Sequence, residues 1–167
     1  IENKAEHYGG AIYSRAYAVV NINDTLFENN KAGYYGGAIQ MDCWEKLNIV
    51  NSIFNKNNAI YNGWAITLCS YSKQNILSGF EENVNIKESE FCENSSNWNG
   101  GAIYASEVKN LFIEFCTFVE NKSLDYNGGA IYSYLVNNYI IQNSEFIENK
   151  AKQYGGAIYS IYDVYLN

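Results

Sequence analysis

The sequence predicts an all-β chain, a right-handed parallel β-helix of about six coils, with roughly 27 residues and three short strands in each. Three observations carry this. Gly-Gly-Ala-Ile occurs at 9–12, 36–39, 100–103, 128–131 and 155–158, with a damaged sixth copy at Gly63-Trp64-Ala65-Ile66. The first glycines step by 27, 27, 37, 28 and 27 residues. A second motif, Phe-x-x-Asn, runs in phase at Phe27/Asn30, Phe54/Asn57, Phe91/Asn94, Phe118/Asn121 and Phe146/Asn149. A fixed period of this size marks a stack of small units, each burying its apolar face on its neighbours.

Each unit holds three stretches of period-2 character. The first is Ala-Ile-Tyr after the glycines. The second is Val20-x-Ile22, Leu47-x-Ile49, Val84-x-Ile86, Leu111-x-Ile113 or Tyr139-x-Ile141. The third is a small residue two before each Phe: Thr25, Ser52, Ser89, Cys116 or Ser144. Alternation of β-branched and aromatic residues predicts strands, and a glycine pair in every turn weakens any helix.

Coils stacked about 4.8 Å apart put residues one period apart above one another. The expected columns are Ile12, Ile39, Ile66, Ile103, Ile131 and Ile158, then Phe27, Phe54, Phe91, Phe118 and Phe146, then the amide ladder of Asn30, Asn57, Asn94, Asn121 and Asn149. Ile1-Glu2-Asn3 reads as the tail of a further copy. The glycines fit a corner with positive φ or a wall without room for Cβ. Leucine-rich repeats overlap in period, but they need Asn three residues after a Leu-x-Leu pair; here that slot holds Thr, Ser or Cys.

The 167 residues form one predicted segment, with coils starting near Gly9, Gly36, Gly63, Gly100, Gly128 and Gly155 and a loop inserted at about 68–83. In that coil the Tyr71-Ser72-Lys73-Gln74 stretch is expected to bulge, with Trp64 packed beneath it. With 47% hydrophobic residues, 16 Tyr and 8 Phe, a narrow continuous core can be filled. Both ends fall inside a repeat and carry no polar cap, so the sequence reads as part of a longer array or as a unit that stacks end to end. No signal peptide is read at Ile1.

The net charge of −7 and the lack of a basic stripe argue against nucleic acid. No apolar run is long enough to insert this segment in a membrane as a helix. The cysteines at 43, 69, 92 and 116 fit no zinc spacing. Cys43 and Cys69 lie at nearly matching phase in adjacent coils, close enough for a disulfide, and Cys116 reads as a buried apolar filler. No catalytic residue, metal or cofactor is expected: His7 and Arg15 are alone of their kinds, and Asp24, Asp42, Asp125 and Asp163 do not recur in phase.

Rings flank the glycine pairs. Before them come His7-Tyr8, Tyr34-Tyr35, Tyr61, Trp98, Tyr126 and Tyr154. After them come Tyr13, Tyr104, Tyr132 and Tyr159, a row broken by Gln40 and Thr67. These four tyrosines are candidate surface contacts for a sugar or a protein, against the plainer reading of cross-strand stacking. The broken row and the scarcity of Thr oppose an ice-binding face. Asn-x-Ser/Thr sequons make Asn23, Asn94 and Asn121 candidate glycosylation sites; an inward Asn94 or Asn121 is ruled out, which favours Asn23 at a corner.

Gly-Gly-Ala-Ile with Phe-x-x-Asn, repeated in register along essentially the whole chain, resembles the repeats of the chlamydial polymorphic membrane proteins. Similar repeats occur in surface proteins of some protists. The resemblance implies the β-helical passenger of an autotransporter, displayed outside the cell and used in adhesion, with Gly9 to Ile12, Phe27 to Asn30 and their counterparts as its signature. The expected function is therefore a non-enzymatic, extracellular or cell-surface structural or adhesive protein. Its partner would be a host-cell or neighbouring surface protein or glycan, or a second copy of itself. The alternatives are an extracellular β-helical filament and, more weakly, a carbohydrate-binding or carbohydrate-active β-helix.

Overall fold

The computed structural model describes residues 1–63, 65–69 and 83–163. Within them the chain is all strand, turn and bend, coiled into a parallel β-solenoid. Successive coils pair in register. Ile12, Ile39, Ile66, Ile103, Ile131 and Ile158 stand opposite one another in one ladder, so six rungs bound five full turns. The four inner isoleucines are fully buried. Val20, Leu47, Val84, Leu111 and Tyr139 form a second inward column.

The phenylalanines form the third. Their rings stack nearly parallel at 4.7, 4.8, 4.7 and 4.8 Å between centroids from Phe27 to Phe146. Each pair adds roughly 0.5–1.5 kcal/mol beyond its burial. The spacing equals the interstrand distance because backbone pairing sets it.

The coil also contains a strand too short for sequence periodicity to register. Two-residue strands at Lys4–Ala5, Lys31–Ala32, Asn58–Ala59, Ser95–Ser96, Lys122–Ser123 and Lys150–Ala151 form a six-stranded ladder after the asparagines. The isoleucine and Leu-x-Ile arms belong to one sheet, and in the first two coils they run on as Ile12–Asn23 and Ile39–Val50. Ala16 and Cys43 bend these long strands at φ values of 62° and 53°.

Left-handed residues make the other corners, and most are not glycine. Asp24, Asn51, Glu88, Phe115 and Asn143 turn the chain before the small slot, while Asn29, Lys56, Glu93, Glu120 and Glu148 turn it before the ladder asparagine. Such φ values are uncommon outside glycine, and interstrand hydrogen bonds on either side hold them, as when Glu93 N donates to Val119 O at 2.9 Å.

The glycine pair answers two separate constraints. Gly100 has φ of +68°, and a Cβ there would meet Ile103 O at 2.3 Å. Gly101 would place its Cβ 2.1 Å from Gly129 O in the next coil. The alanine that follows is crowded too: Ala102 O accepts both Ala65 N and Ile66 N, at 3.1 and 2.9 Å, and Ala102 is fully buried.

The small slot is a hydrogen-bonding position. Ser52 Oγ donates to Val50 O at 2.9 Å and accepts Thr25 N at 3.2 Å. Cys116 follows the same pattern, its Sγ lying 3.3 Å from Glu114 O and its N donating to Ser144 Oγ at 3.1 Å. Cys116 is buried in the core as expected of a filler, and its thiol also stands in for the hydroxyl of the other coils. No disulfide joins the four cysteines. Cys69 pairs in register with Asp42, one residue short of Cys43, which occupies the bend. Trp64 and the central part of the expected insertion, 70–82, lie outside the described residues; Leu68 and Cys69 end the strand Ile66–Cys69, and Asn83 opens the strand Asn83–Lys87.

Candidate interaction surface

The signature residues face inward and bond to one another. Asn94 is fully buried and uses its whole amide. Its Nδ2 donates to Phe54 O at 2.9 Å and to Asn121 Oδ1 at 3.0 Å. Its Oδ1 accepts Asn57 N at 3.0 Å and Asn57 Nδ2 at 3.1 Å. Asn57 and Asn121 repeat this arrangement, and Asn3 extends the ladder by giving Nδ2 to Asn30 Oδ1 at 2.8 Å. Asn94 and Asn121 are thus corrected as glycosylation candidates: both are buried, with their amide nitrogens committed as donors. Asn23 is exposed at the end of its strand, and Thr25 of its sequon donates a hydrogen bond to the Asn23 carbonyl at 2.7 Å.

The rings around the glycines lie outside this core in two rows. In the first, His7 stacks on Tyr34 at 5.2 Å and Tyr34 on Tyr61 at 5.6 Å. Trp98 then meets Tyr61 edge-on at 5.1 Å and leans on Tyr126 at 5.6 Å. Main-chain bonds between coils hold the row, such as Tyr61 N to Tyr34 O at 2.9 Å. Tyr34, Trp98 and Tyr126 each keep about 40% of their surface in solvent.

The second row contains the four tyrosines expected as contacts, and the structure separates them. Tyr104 and Tyr132 stack at 5.1 Å, and Tyr159 tilts against Tyr132 at 5.8 Å; all three are half-buried. Burial, then the neighbouring Tyr159, raises the phenol pKa of Tyr132. Tyr13 stands apart, with the buried Gln40 and Thr67 as the intervening rungs. Its hydroxyl donates to Asp42 Oδ2 at 2.9 Å. Burial and then this bond to the carboxylate raise its pKa.

Tyr8 joins the two rows. It stacks on Tyr35 at 5.9 Å and tilts against both Tyr13 and Tyr34. The residue before the first glycine decides this local difference. Where it is Tyr8, Tyr35 or Tyr154, a ring lies over the sheet. Where it is Asn62, Asn99 or Asn127, the amide oxygen accepts the next coil's backbone N–H, at 3.2, 3.1 and 3.2 Å. Reading that column residue by residue would have located the junction; reading the rings as one set hid it.

Among the described residues, no group of three or more His, Cys, Asp and Glu is placed to hold a metal. No helix among the described residues is long and apolar enough to cross a membrane. Residues 24–41, 88–106, 115–134 and 143–161 each match the model of the Chlamydia polymorphic membrane protein (Pmp) repeat. These four stretches, set on a parallel solenoid, fit a β-helix of Pmp-type repeats. No curated protein and no solved structure matches it.

Each matched Pmp repeat begins at a left-handed corner, Asp24, Glu88, Phe115 or Asn143, and runs through the Phe and Asn rungs into the isoleucine strand. The copy starting at Asn51, with Trp64 in place of the second glycine, lies outside the matches. The Leu-x-Ile arm falls outside them as well. The matched stretches therefore carry the Phe, Asn and Ile columns, three of those that hold coil to coil.

Proposed function

We propose that this Pmp-repeat β-helix is displayed at a cell surface or secreted, and that it acts as a non-enzymatic adhesive scaffold. The supporting observation is the first aromatic row. Tyr34, Trp98 and Tyr126 run along one corner of a rigid solenoid, each about 40% exposed and fixed by main-chain bonding. Rigid amphipathic rings give large contact area at small entropic cost. The signature residues are spent on cohesion, which leaves recognition to the rings outside them. The partner is a protein or glycan on a host or neighbouring cell, and Asn23 is the position open to a glycan on this chain.

The test is adhesion of the purified chain, fluorescently labelled, to cultured cells. A Tyr34→Ser, Trp98→Ser, Tyr126→Ser variant with an unchanged circular dichroism spectrum should lose most binding. Undiminished binding by that variant refutes the assignment of the row.

A further inference from the structure

Four outward side chains form a square on the first two coils. Alternation along each strand puts Tyr13 and Arg15 on the outer face of one strand and Gln40 and Asp42 on the outer face of the next. The register pairs Tyr13 with Gln40 and Arg15 with Asp42. With Tyr8 and Tyr35 they line a depression of about 250 Å³. This is the place where Tyr8 joins the two aromatic rows.

Its polar groups are arranged for a ligand. Gln40 is 2% exposed although it lies on the outer face. Its Nε2 donates to Asp42 Oδ1 at 2.5 Å, which fixes the orientation of the amide. Its Oε1 is then left buried without a hydrogen-bond partner. A buried acceptor in that state is costly and is rarely tolerated without a role. Each Asp42 oxygen already takes one donor, Tyr13 O–H or Gln40 N–H, and keeps acceptor capacity. Arg15 is exposed at the rim and brings up to five N–H donors. Tyr8, Tyr13 and Tyr35 add aromatic surface around these groups.

We infer that the depression lined by Tyr8, Tyr13, Arg15, Tyr35, Gln40 and Asp42 is a subsite for one neutral pyranose unit of a glycan. The inference rests on the adhesive reading above and deepens it by naming the ligand chemistry. A pyranose offers an apolar C–H face to the tyrosine rings. Its adjacent hydroxyls are both donors and acceptors, so they can give to Gln40 Oε1 and Asp42 and take from Arg15. Asp42 in the floor and the net charge of −7 oppose an acidic sugar, and Arg15 opposes an organic cation.

The experiment is saturation-transfer NMR with titration calorimetry on the full chain. The probes are methyl glycosides of glucose, galactose, mannose and N-acetylglucosamine, with methyl glucuronide and choline as charged comparators. At least one neutral glycoside should bind, with saturation concentrated on its ring C–H protons. Gln40→Leu and Arg15→Gln should each weaken it at least tenfold. Arg15 is exposed and its replacement leaves the fold intact, so the test survives if the Leu variant misfolds. No binding by any neutral glycoside, preference for the glucuronide or for choline, or binding unchanged in Arg15→Gln each overturns the inference. The row variant without Tyr34, Trp98 and Tyr126 leaves the subsite in place. In the parent chain, no glycoside binding with cell adhesion intact sinks the subsite alone, and glycoside binding without cell adhesion sinks the adhesive reading alone.

Discussion

Replacing Asn94 by Ala should uncouple the two halves of the stack. Asn94 lies at a middle rung, fully buried, and takes part in four side-chain hydrogen bonds. Alanine leaves the Asn57 backbone N–H and one Asn57 amide N–H without their acceptor, and Phe54 O without its donor from Asn94. Each orphaned buried group costs roughly 1–3 kcal/mol, so the loss of three comes to about 3–9 kcal/mol. A natural domain has only about 5–15 kcal/mol to lose. Asn149 supplies the internal comparison. It makes the same kind of bonds, giving to Phe118 O and accepting from Asn121 N and Nδ2, but it is half-buried, so water can replace what is lost. Asn149→Ala should cost about 1 kcal/mol. Urea unfolding followed by circular dichroism measures both, and Asn94→Ala should also broaden the transition as nearest-neighbour coupling fails. Equal costs at the two positions, or a loss below about 1 kcal/mol at Asn94, would show that the ladder is incidental to cohesion.

Three further outcomes follow from the same geometry. Gly101→Ala should sharply lower the thermal midpoint because its Cβ would lie 2.1 Å from Gly129 O, whereas Gly156→Ala, with its nearest neighbour Asn149 O at 3.5 Å, should be nearly neutral; differential scanning calorimetry distinguishes them. Cys116→Ser should stay within about 1 kcal/mol of the parent because the hydroxyl continues the pattern of Ser52 and Ser89, while Cys116→Val should cost more by removing the acceptor beside the Ser89 backbone. Tyr139 is wholly buried beside Ser133 and Asp163, and burial raises its phenol far above the usual 10.0. The folded state then holds this proton more tightly than the unfolded one. Stability is fully present below pH 10 and falls above it by about 1.4 kcal/mol per pH unit. Alkaline unfolding curves of Tyr139→Phe should lack that one-proton slope.

The sequence alone determined the period, the solenoid and the three apolar columns. In a stacked array a residue's neighbour is its own counterpart one period away, so Ile39 above Ile66 or Phe54 above Phe91 can be read by counting. Only the tertiary structure revealed the two-residue strands at Lys31–Ala32 and its counterparts, because two residues carry no periodicity. It also placed acidic and basic residues such as Glu93 and Lys56 in left-handed corners, where the ladder on either side outweighs local preference. Cys116 as a hydroxyl substitute, and Gln40 buried on an outward-facing position, likewise depended on what neighbouring coils lay against them. A repeat motif records what coils share. The contacts that make one place on the surface differ from another come from departures at single rungs, and their meaning is fixed only when the rungs above and below are in position.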